Sequence, residues 1–477
     1  MTQLPPGWAP ALLGEVAATS LGKMLDSKRN TGANPVPYLR NINVRWGAFD
    51  LRDLLTMDIR PDELDRVLAR RGDVIACEGG EPGRAAVWPH DEPIAIQKAL
   101  HLIRPKAGID PRFLALLLRY QASSGQLDRL FTGTTIKHLP QEKLRLVEVP
   151  IPPTCEQERI VVAIEEAFSL LDAGETALHN TRTRLKRMRD SVLTAAVTGQ
   201  LVPQDPTDTP ATSRLVAIGC ECPEQAPKAL PRGWAVACLS ALLAETIGGV
   251  WGSDPGTDEV DVRVIRVTEM RPDGSLDPTT AAKRSIKRSQ LKSRELRIGD
   301  LLLEKSGGGP TRPVGRVGMV RGLESTAVCA NFMQLLRADE RLMTPAYLEV
   351  LLRAFHVAGG TAALQTATTN IRNLKMKDYF AQIHAVPPLE EQVRIVAEVE
   401  RQFSFIETAE RAVDSTLGRS AGLRRSVLKA AFEGRLVPQD PADEPASVLL
   451  ERIAAERRAA APSKRAPRGA RGKVVAS

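Results

Sequence analysis

Histidine is the first place to look for chemistry, because imidazole titrates near neutral pH and binds metals. His90, His101, His138, His179, His356 and His384 are spread along the chain and show no metal-ligand spacing. Cys77, Cys155, Cys220, Cys222, Cys238 and Cys329 are equally scattered and outline no disulfide framework. Cys220 and Cys222 are the one close pair. With no matching pair and no nearby histidine, they make no zinc site. A phosphate loop needs Gly-x-x-x-x-Gly-Lys-Ser/Thr, so that backbone amides and one lysine surround the anion. The glycine-rich stretches 79–84 (GGEPGR) and 306–316 (SGGGPTRPVGR) lack that lysine and read as turns between strands. No catalytic residue and no metal ligand is therefore assigned.

The elements carry a stronger signal. Residues 152–171, PPTCEQERIVVAIEEAFSLL, return at 387–406 as PPLEEQVRIVAEVERQFSFI. The segment SVLTAAVTGQLVPQDPTDTP returns as SVLKAAFEGRLVPQDPADEP. The offset is constant at 235 (387 − 152), so Gln157 answers to Gln392, Phe168 to Phe403 and Asp205 to Asp440. A long-period repeat of this kind has to be read before any local motif. Each copy predicts one helix of about 45 residues, some 65–70 Å long at 1.5 Å per residue. In the first copy Ile164, Leu171, Leu178, Leu185 and Val192 fall seven apart, with Ile160, Ala167, Met188 and Ala195 as the alternate seam. The second repeats this with Val399, Ile406, Val413 and Val427, and with Ile395, Ala409, Leu423 and Ala430. Heptad spacing sustained over four repeats predicts a coiled coil. Thr154 and Gln157 form a capping box at the first helix start, which Leu389 forfeits in the second copy. Gly199 and Gly434 mark the helix stops.

The stretches before each helix also correspond. LPPGWA (4–9) returns as LPRGWA (230–235), and strand 38–44 with Arg40 returns as 264–270 with Arg266. Gly72-Asp73 and Gly299-Asp300 each turn into an apolar strand. A strand is expected over 94–103 and a helix over 111–121. Ile136 and Leu139 pair with Ile371 and Leu374. The skeleton repeats while most side chains differ. Residues 202–229 read as a Pro/Asp/Thr-rich linker and the end of the chain as a short helix with a basic tail.

The chain has 477 residues, 43% of them hydrophobic, enough for several cores. No apolar run approaches a membrane span and the start carries no basic-then-apolar signal, which predicts a cytoplasmic protein that contacts no membrane. The net charge is +8, but from Glu451 onward eight Lys/Arg stand against two acids, leaving the rest nearly balanced. Bulk charge is thus a weak argument for nucleic acid.

The repeated motif PPxxEQxRIV resembles that of the DNA specificity subunit of bacterial type I restriction–modification systems. It is carried by Pro152, Pro153, Glu156, Gln157 and Arg159, and again by Pro387, Pro388, Glu391, Gln392 and Arg394. The resemblance covers almost the whole chain. It implies an α+β fold with internal pseudo-two-fold duplication: two globular α/β target-recognition domains separated by two long antiparallel coiled-coil helices. The boundaries expected are 1–151 and 230–386 for the recognition domains, 152–201 and 387–436 for the spacer helices, 202–229 for the linker and 437–477 for the C-terminal helix and tail. It further implies a non-catalytic chain that reads a split, asymmetric site in double-stranded DNA. Two adenine-methyltransferase subunits and two restriction/translocase subunits would be its partners. S-adenosylmethionine, ATP and Mg would sit on those partners, with no cofactor in this chain.

Base readout favours arginine on guanine and Asn/Gln on adenine. On that ground the expected DNA contacts are Arg40, Asn41, Asn43, Arg45, Arg84 and Lys137 in the first domain. In the second they are Arg266, Arg271, Lys305, Arg312, Arg316 and Arg372. Thr134, Thr135, Thr368 and Thr369 suit phosphate contacts, which position without specifying. Two alternatives compete: a self-sufficient DNA-modifying enzyme, and a coiled-coil scaffold for proteins. Against the first, Asn34-Pro-Val-Pro-Tyr38 is one residue too long for the Asn-Pro-Pro-Tyr box of adenine methyltransferases, and no glycine-rich cofactor loop accompanies it.

Overall fold

The structure, a computed structural model, describes residues 4–26, 30–133, 135, 137–220, 230–271, 273–309, 313–368 and 371–460. Contacts divide the chain into two compact units, one of Met1–Leu178 with Ser415–Ser477 and one of His179–Asp414. Helix and strand are mixed in both. Among the described residues no helix is long and apolar enough to cross a membrane.

The first unit opens with strand Ala9–Leu12, paired antiparallel with Glu148–Ile151 so that Ala9 faces Ile151. The chain thus enters beside the strand that leads into its long helix. One four-stranded sheet orders Leu55–Asp58, Pro35–Leu39, Ile94–Ile96 and Leu68–Ala69. The other orders Ala17–Leu21, Leu100–Pro105, Val74–Cys77 and Ala85–Val87. Every residue of Val74–Cys77 is buried, as its unbroken apolar run requires of an internal strand. The helix Pro111–Ser123 starts on a proline, and the Asp110 carboxylate accepts from the Arg112 amide at 2.7 Å.

The second unit repeats these steps. Ala235–Cys238 pairs antiparallel with Ile383–Val386. Its four-stranded sheet orders Leu243–Gly248, Met333–Ala338, Leu301–Glu304 and Val317–Met319. Its helix Pro345–Val357 is capped by Thr344. The Gly-Asp turns are alike in detail. Gly72 and Gly299 take φ of +88° and +95°, a left-handed conformation that glycine adopts without strain. Asp73 then accepts from the Arg70 amide and from the Arg104 guanidinium at 2.8 and 2.6 Å. Asp300 does the same with the Arg297 amide and Arg337.

Three expected strands differ. The one over 94–103 is two strands in separate sheets, Ile94–Ile96 and Leu100–Pro105, because a turn closes where the Leu100 amide donates to the Gln97 carbonyl at 2.8 Å. The strand over 38–44 stops at Leu39, where the Asn43 side chain accepts from the Arg40 amide and winds 41–43 into a 3-10 turn. Glu269 does the same to the strand over 264–270 by accepting from the Arg266 amide.

The long helices are Thr154–Val197 and Leu389–Phe432, 44 residues each. Each ends as expected at a glycine with positive φ, Gly199 and Gly434. The amides of Gln200 and Arg435 reach back to the carbonyls of Ala195 and Ala430, which satisfies helix-end acceptors. The second helix runs unbroken through Gly418 and Gly422. The alternate seam holds in part. Ile160 and Ile395 are buried and Ala167, Ala195, Ala409 and Ala430 half-buried, but Met188 and Leu423 are exposed, and the neighbouring stripe Val161, Phe168, Glu175, Arg189 and Ala196 is also buried or half-buried. In the first unit Arg424 pairs with Asp172 and Ser420 donates to Glu175, so the two helical segments run in opposite directions. In the second unit Arg182 pairs with Asp414 and Arg189 with Glu410, with the same sense.

Candidate nucleic-acid interface and the helix seats

Three loops of the first unit meet. Asn41 donates its amide to the Gly79 carbonyl at 2.9 Å, and Arg84 donates to the Asn41 carbonyl at 3.0 Å. The Trp46 indole donates to Glu81 at 2.7 Å. The third loop joins where the Leu139 amide donates to the Glu78 carbonyl and Gly79 bridges to His138. The second unit assembles the same way. Arg316 donates to the Met270 carbonyl at 3.2 Å, and strand Ser306–Gly307 pairs with Ile371–Leu374. Expected contact residues therefore lie together, Arg40, Asn41, Asn43, Arg45, Arg84 and Lys137 in one cluster and Arg266, Arg271, Lys305, Arg316 and Arg372 in the other. Arg312, Thr134 and Thr369 lie outside the described residues, as does the side chain of Thr368. Thr135 is exposed.

Their availability differs sharply. Asn43 is buried, and its amide donates to the carbonyls of Asp50 and Asp53. Arg40 is held by Asp53 at 2.7 Å and Arg84 by Glu81 at 2.8 Å. Arg316 grips the buried Glu304 carboxylate with two nitrogens, at 2.8 and 3.1 Å. Arg266 lies 2.6 Å from Glu269. Burial pushes the Glu269 carboxyl up, but hydrogen bonds from Arg266 and Thr268 hold it below the usual carboxylate range, and Glu269 raises the Arg266 guanidinium in return. These arginines shape the loops. Lys305 is half-buried beside Gln334, and Arg372 is half-buried on the paired strand. The outward cations are Arg45, Lys137 and Arg271, whose side chains are 52, 57 and 63% exposed. Sequence reasoning missed Arg52, 89% exposed and 2.7 Å from Asp50, and the half-buried Trp46. Their signal was position, since Trp46 lies in the turn between strands Val44–Arg45 and Ala48–Phe49 and Arg52 just after that hairpin.

The repeated motif has a different role, seating each globular part on its helix. Trp8 donates its indole N–H to the buried Glu156 at 3.0 Å, and Trp234 does so to Glu391 at 3.0 Å. Burial pushes both carboxyls up from their ordinary value. Gln157 accepts from the Asp110 amide at 2.9 Å and donates to the carbonyls of Gly108 and Pro152. Gln392 accepts from Thr344 and donates to Leu342 and Pro387. The expected capping box at Thr154 is therefore not formed, because Gln157 is committed to the globular part and Thr154 itself donates to Gly108. Arg159 meets Asp443 at 2.7 Å and Arg394 meets Asp208 at 2.5 Å. Pro152, Pro153, Pro387 and Pro388 form the bends into the helices. Among the described residues no group of three or more His, Cys, Asp or Glu side chains could hold a metal ion. Cys222 lies outside the described residues.

Residues 5–184 match the family described as "Type I restriction modification DNA specificity domain". The chain is 25% identical over 482 residues to the type I restriction enzyme EcoKI specificity subunit of Escherichia coli K12, covering 98% of each chain. It is 28% identical to the EcoBI specificity subunit of Escherichia coli, covering 80% of this chain and 79% of that one. A chain from a solved type I R-M system shares the fold with a TM-score of 0.65 at 18% identity, covering 91% of this chain and all of the other. The HsdS subunit from Thermoanaerobacter tengcongensis gives 0.55 at 20% identity, covering 91% and 98%. The resemblance read from the sequence is borne out: the chain is related along nearly its whole length to type I specificity subunits.

Proposed function

We propose, from that relationship, that this chain is the DNA-reading, non-catalytic subunit of a type I restriction–modification complex and reads a split, asymmetric site. Each loop cluster is one reading head, within residues 1–151 and 230–386. What carries the reading is that two clusters share one skeleton and differ in side chains, as two heads for two different half-sites would. Arg45, Arg52 and Lys137 in the first, and Arg271 with Lys305 and Arg372 in the second, are the side chains placed to meet DNA. The two helices, 152–201 and 387–436, pair as an antiparallel coiled-coil spacer from an internal duplication and fix the gap between half-sites.

Catalysis belongs to partners. Leu170 is 76% exposed and Phe405 is 64% exposed, at equivalent positions of the two long helices. Met188 and Leu423 are a second equivalent exposed pair. Repeated apolar positions on polar helices favour two equivalent docking surfaces, one for each of two adenine-methyltransferase subunits. Those partners, with two restriction/translocase subunits, would carry S-adenosylmethionine, ATP and Mg in the cytoplasm.

The test is N6-methyladenine mapping of host DNA with and without the gene. Loss of one split, asymmetric motif on deletion is the expected result. An unchanged methylation pattern, in cells where the chain is present and bound to a methyltransferase subunit, overturns the reading.

A further inference from the structure

The two loop clusters share a hydrogen-bond pattern along one strand end, so single positions can be matched between them. The amides of Cys77 and Glu304 donate to the carbonyls of Arg84 and Arg316 at 2.8 and 2.9 Å. One residue on, the amides of Glu78 and Lys305 donate to the carbonyls of Ala99 and Phe332, both at 3.0 Å. The Glu78 and Lys305 carbonyls accept from the Leu139 and Leu374 amides at 2.7 and 2.8 Å, where the third loop joins each cluster. Three matched bonds thus set Glu78 against Lys305. Each directly follows a fully buried strand, Val74–Cys77 or Leu301–Glu304. Both are half-buried, and their charges are opposite.

Glu78 stands apart from the acids around it. Asp50 is paired with Arg52, Asp53 with Arg40, Glu81 with Arg84 and Asp128 with Lys137. The Glu78 side chain has, among the described residues, no hydrogen bond and no ion pair. In the second cluster Glu269, Asp277 and Glu304 are likewise taken, by Arg266, Arg271 and Arg316. Lys305 meets only the neutral Gln334, at 3.3 Å. A half-buried carboxylate without a partner is costly to hold in place. Phosphates would repel it, so the favourable partner for it on DNA is a donor on a base edge.

We propose, on the reading that the clusters are DNA-reading heads, that Glu78 and Lys305 are one specificity position used with opposite sign. Glu78 accepts from the N4 amine of a cytosine in the first head's half-site. Lys305 donates to O6 and N7 of a guanine at the corresponding base pair of the second head's half-site. Carboxylate with cytosine and ammonium with guanine are the pairings that these groups favour in the major groove. One strand end thus presents an acceptor in one head and a donor in the other, which is a physical origin for the asymmetry of the site.

The test is N6-methyladenine mapping in cells that carry the full chain, wild type or variant, with its methyltransferase partner. Glu78→Gln should admit adenine where the wild type takes one particular cytosine, because the glutamine amide donates as well as accepts. Glu78→Lys should exchange that same cytosine for guanine. Lys305→Glu should exchange one guanine for cytosine in the other half-site. All remaining positions should stay as they are. Competition binding by the purified complex should favour cytosine at the Glu78 position by about tenfold, and Glu78→Gln should lose that preference. Glu78→Gln keeps the shape of the side chain, so it carries the test if circular dichroism shows Glu78→Lys unfolded. A half-site that Glu78→Gln leaves unchanged overturns the proposal, as does a change in both half-sites from one substitution. So does an equal loss of binding, by a folded variant, on DNA with and without the site. A wild-type chain that yields no split motif would instead overturn the reading of the clusters as heads, on which this assignment rests.

Discussion

Gln157 uses both ends of its amide on the globular part, accepting from Asp110 and donating to Gly108 and Pro152. Only a group that is donor and acceptor at once fits that place. Gln157→Glu keeps the shape but turns the donor into a charged acceptor facing two carbonyls. Leaving a buried polar group unsatisfied costs about 1–3 kcal/mol, so urea unfolding of this variant should begin at clearly lower denaturant. The neighbouring Glu156 behaves in the opposite way. Its carboxyl, pushed up by burial, is protonated more readily in the folded chain than in the unfolded one. The folded state therefore binds more protons across the window between the two values, and this group's contribution to stability falls as pH rises through it. Glu156→Gln still accepts from Trp8 and carries no charge to desolvate. It should hold or raise stability at pH 7 and flatten the pH dependence just above the usual carboxylate range, as measured by urea titration at pH 5 and 7. Glu156→Ala should instead destabilise by about 1–3 kcal/mol, because it strands the Trp8 indole N–H.

At the scale of elements, what the sequence made legible and what it hid have separate causes. The helix ends were legible because Gly199 and Gly434 follow helix-forming runs and free the backbone to turn. The core seam through Ile164, Leu171, Leu185 and Val192 was legible because it is apolar. The alternate seam held at Ile160 and Ile395 and failed at Met188 and Leu423, which are exposed; beside Met188 the charged Arg189 takes the covered place. Hydrophobic periodicity passes over charges, yet Arg189 is covered by Phe403 and held by Glu410. The loop clusters were legible as cation-rich turns. Which arginines face outward was not, since that depends on acids distant in sequence such as Glu304 for Arg316. The repeated arginine shows the same limit. Arg159 finds Asp443 across 284 residues, a pairing that no local pattern reveals. The two side chains should therefore couple. A double-mutant cycle of Arg159→Ala and Asp443→Ala should give an interaction energy within about 0.5–3 kcal/mol, and a value near zero would make the pair a bystander on that face.

For the whole molecule, the arrangement of the repeat says more than its existence. The first unit takes the start of the first long helix together with the end of the second and the residues after it. Ala446, Leu449 and Ile453, from beyond the second helix, belong to the core that holds Phe113 and Ile160. The first unit is therefore built from two separate pieces of chain, the second from the stretch between them, and both long helices pass through both units. In the proposed reading this is what makes the helices a ruler, since neither end can shift without the other helix. Adding four residues to both, after Leu178 and after Asp414, keeps the faces nearly in phase at 3.6 residues per turn and lengthens each by about 6 Å. At about 3.4 Å per base pair, the gap between half-sites should grow by one or two base pairs while the half-site sequences stay the same. Methylation mapping of cells carrying the lengthened chain reads this directly. A new motif with altered half-sites would place specificity in the helices rather than in the loop clusters. Retention of the old gap would mean that the helices do not set it.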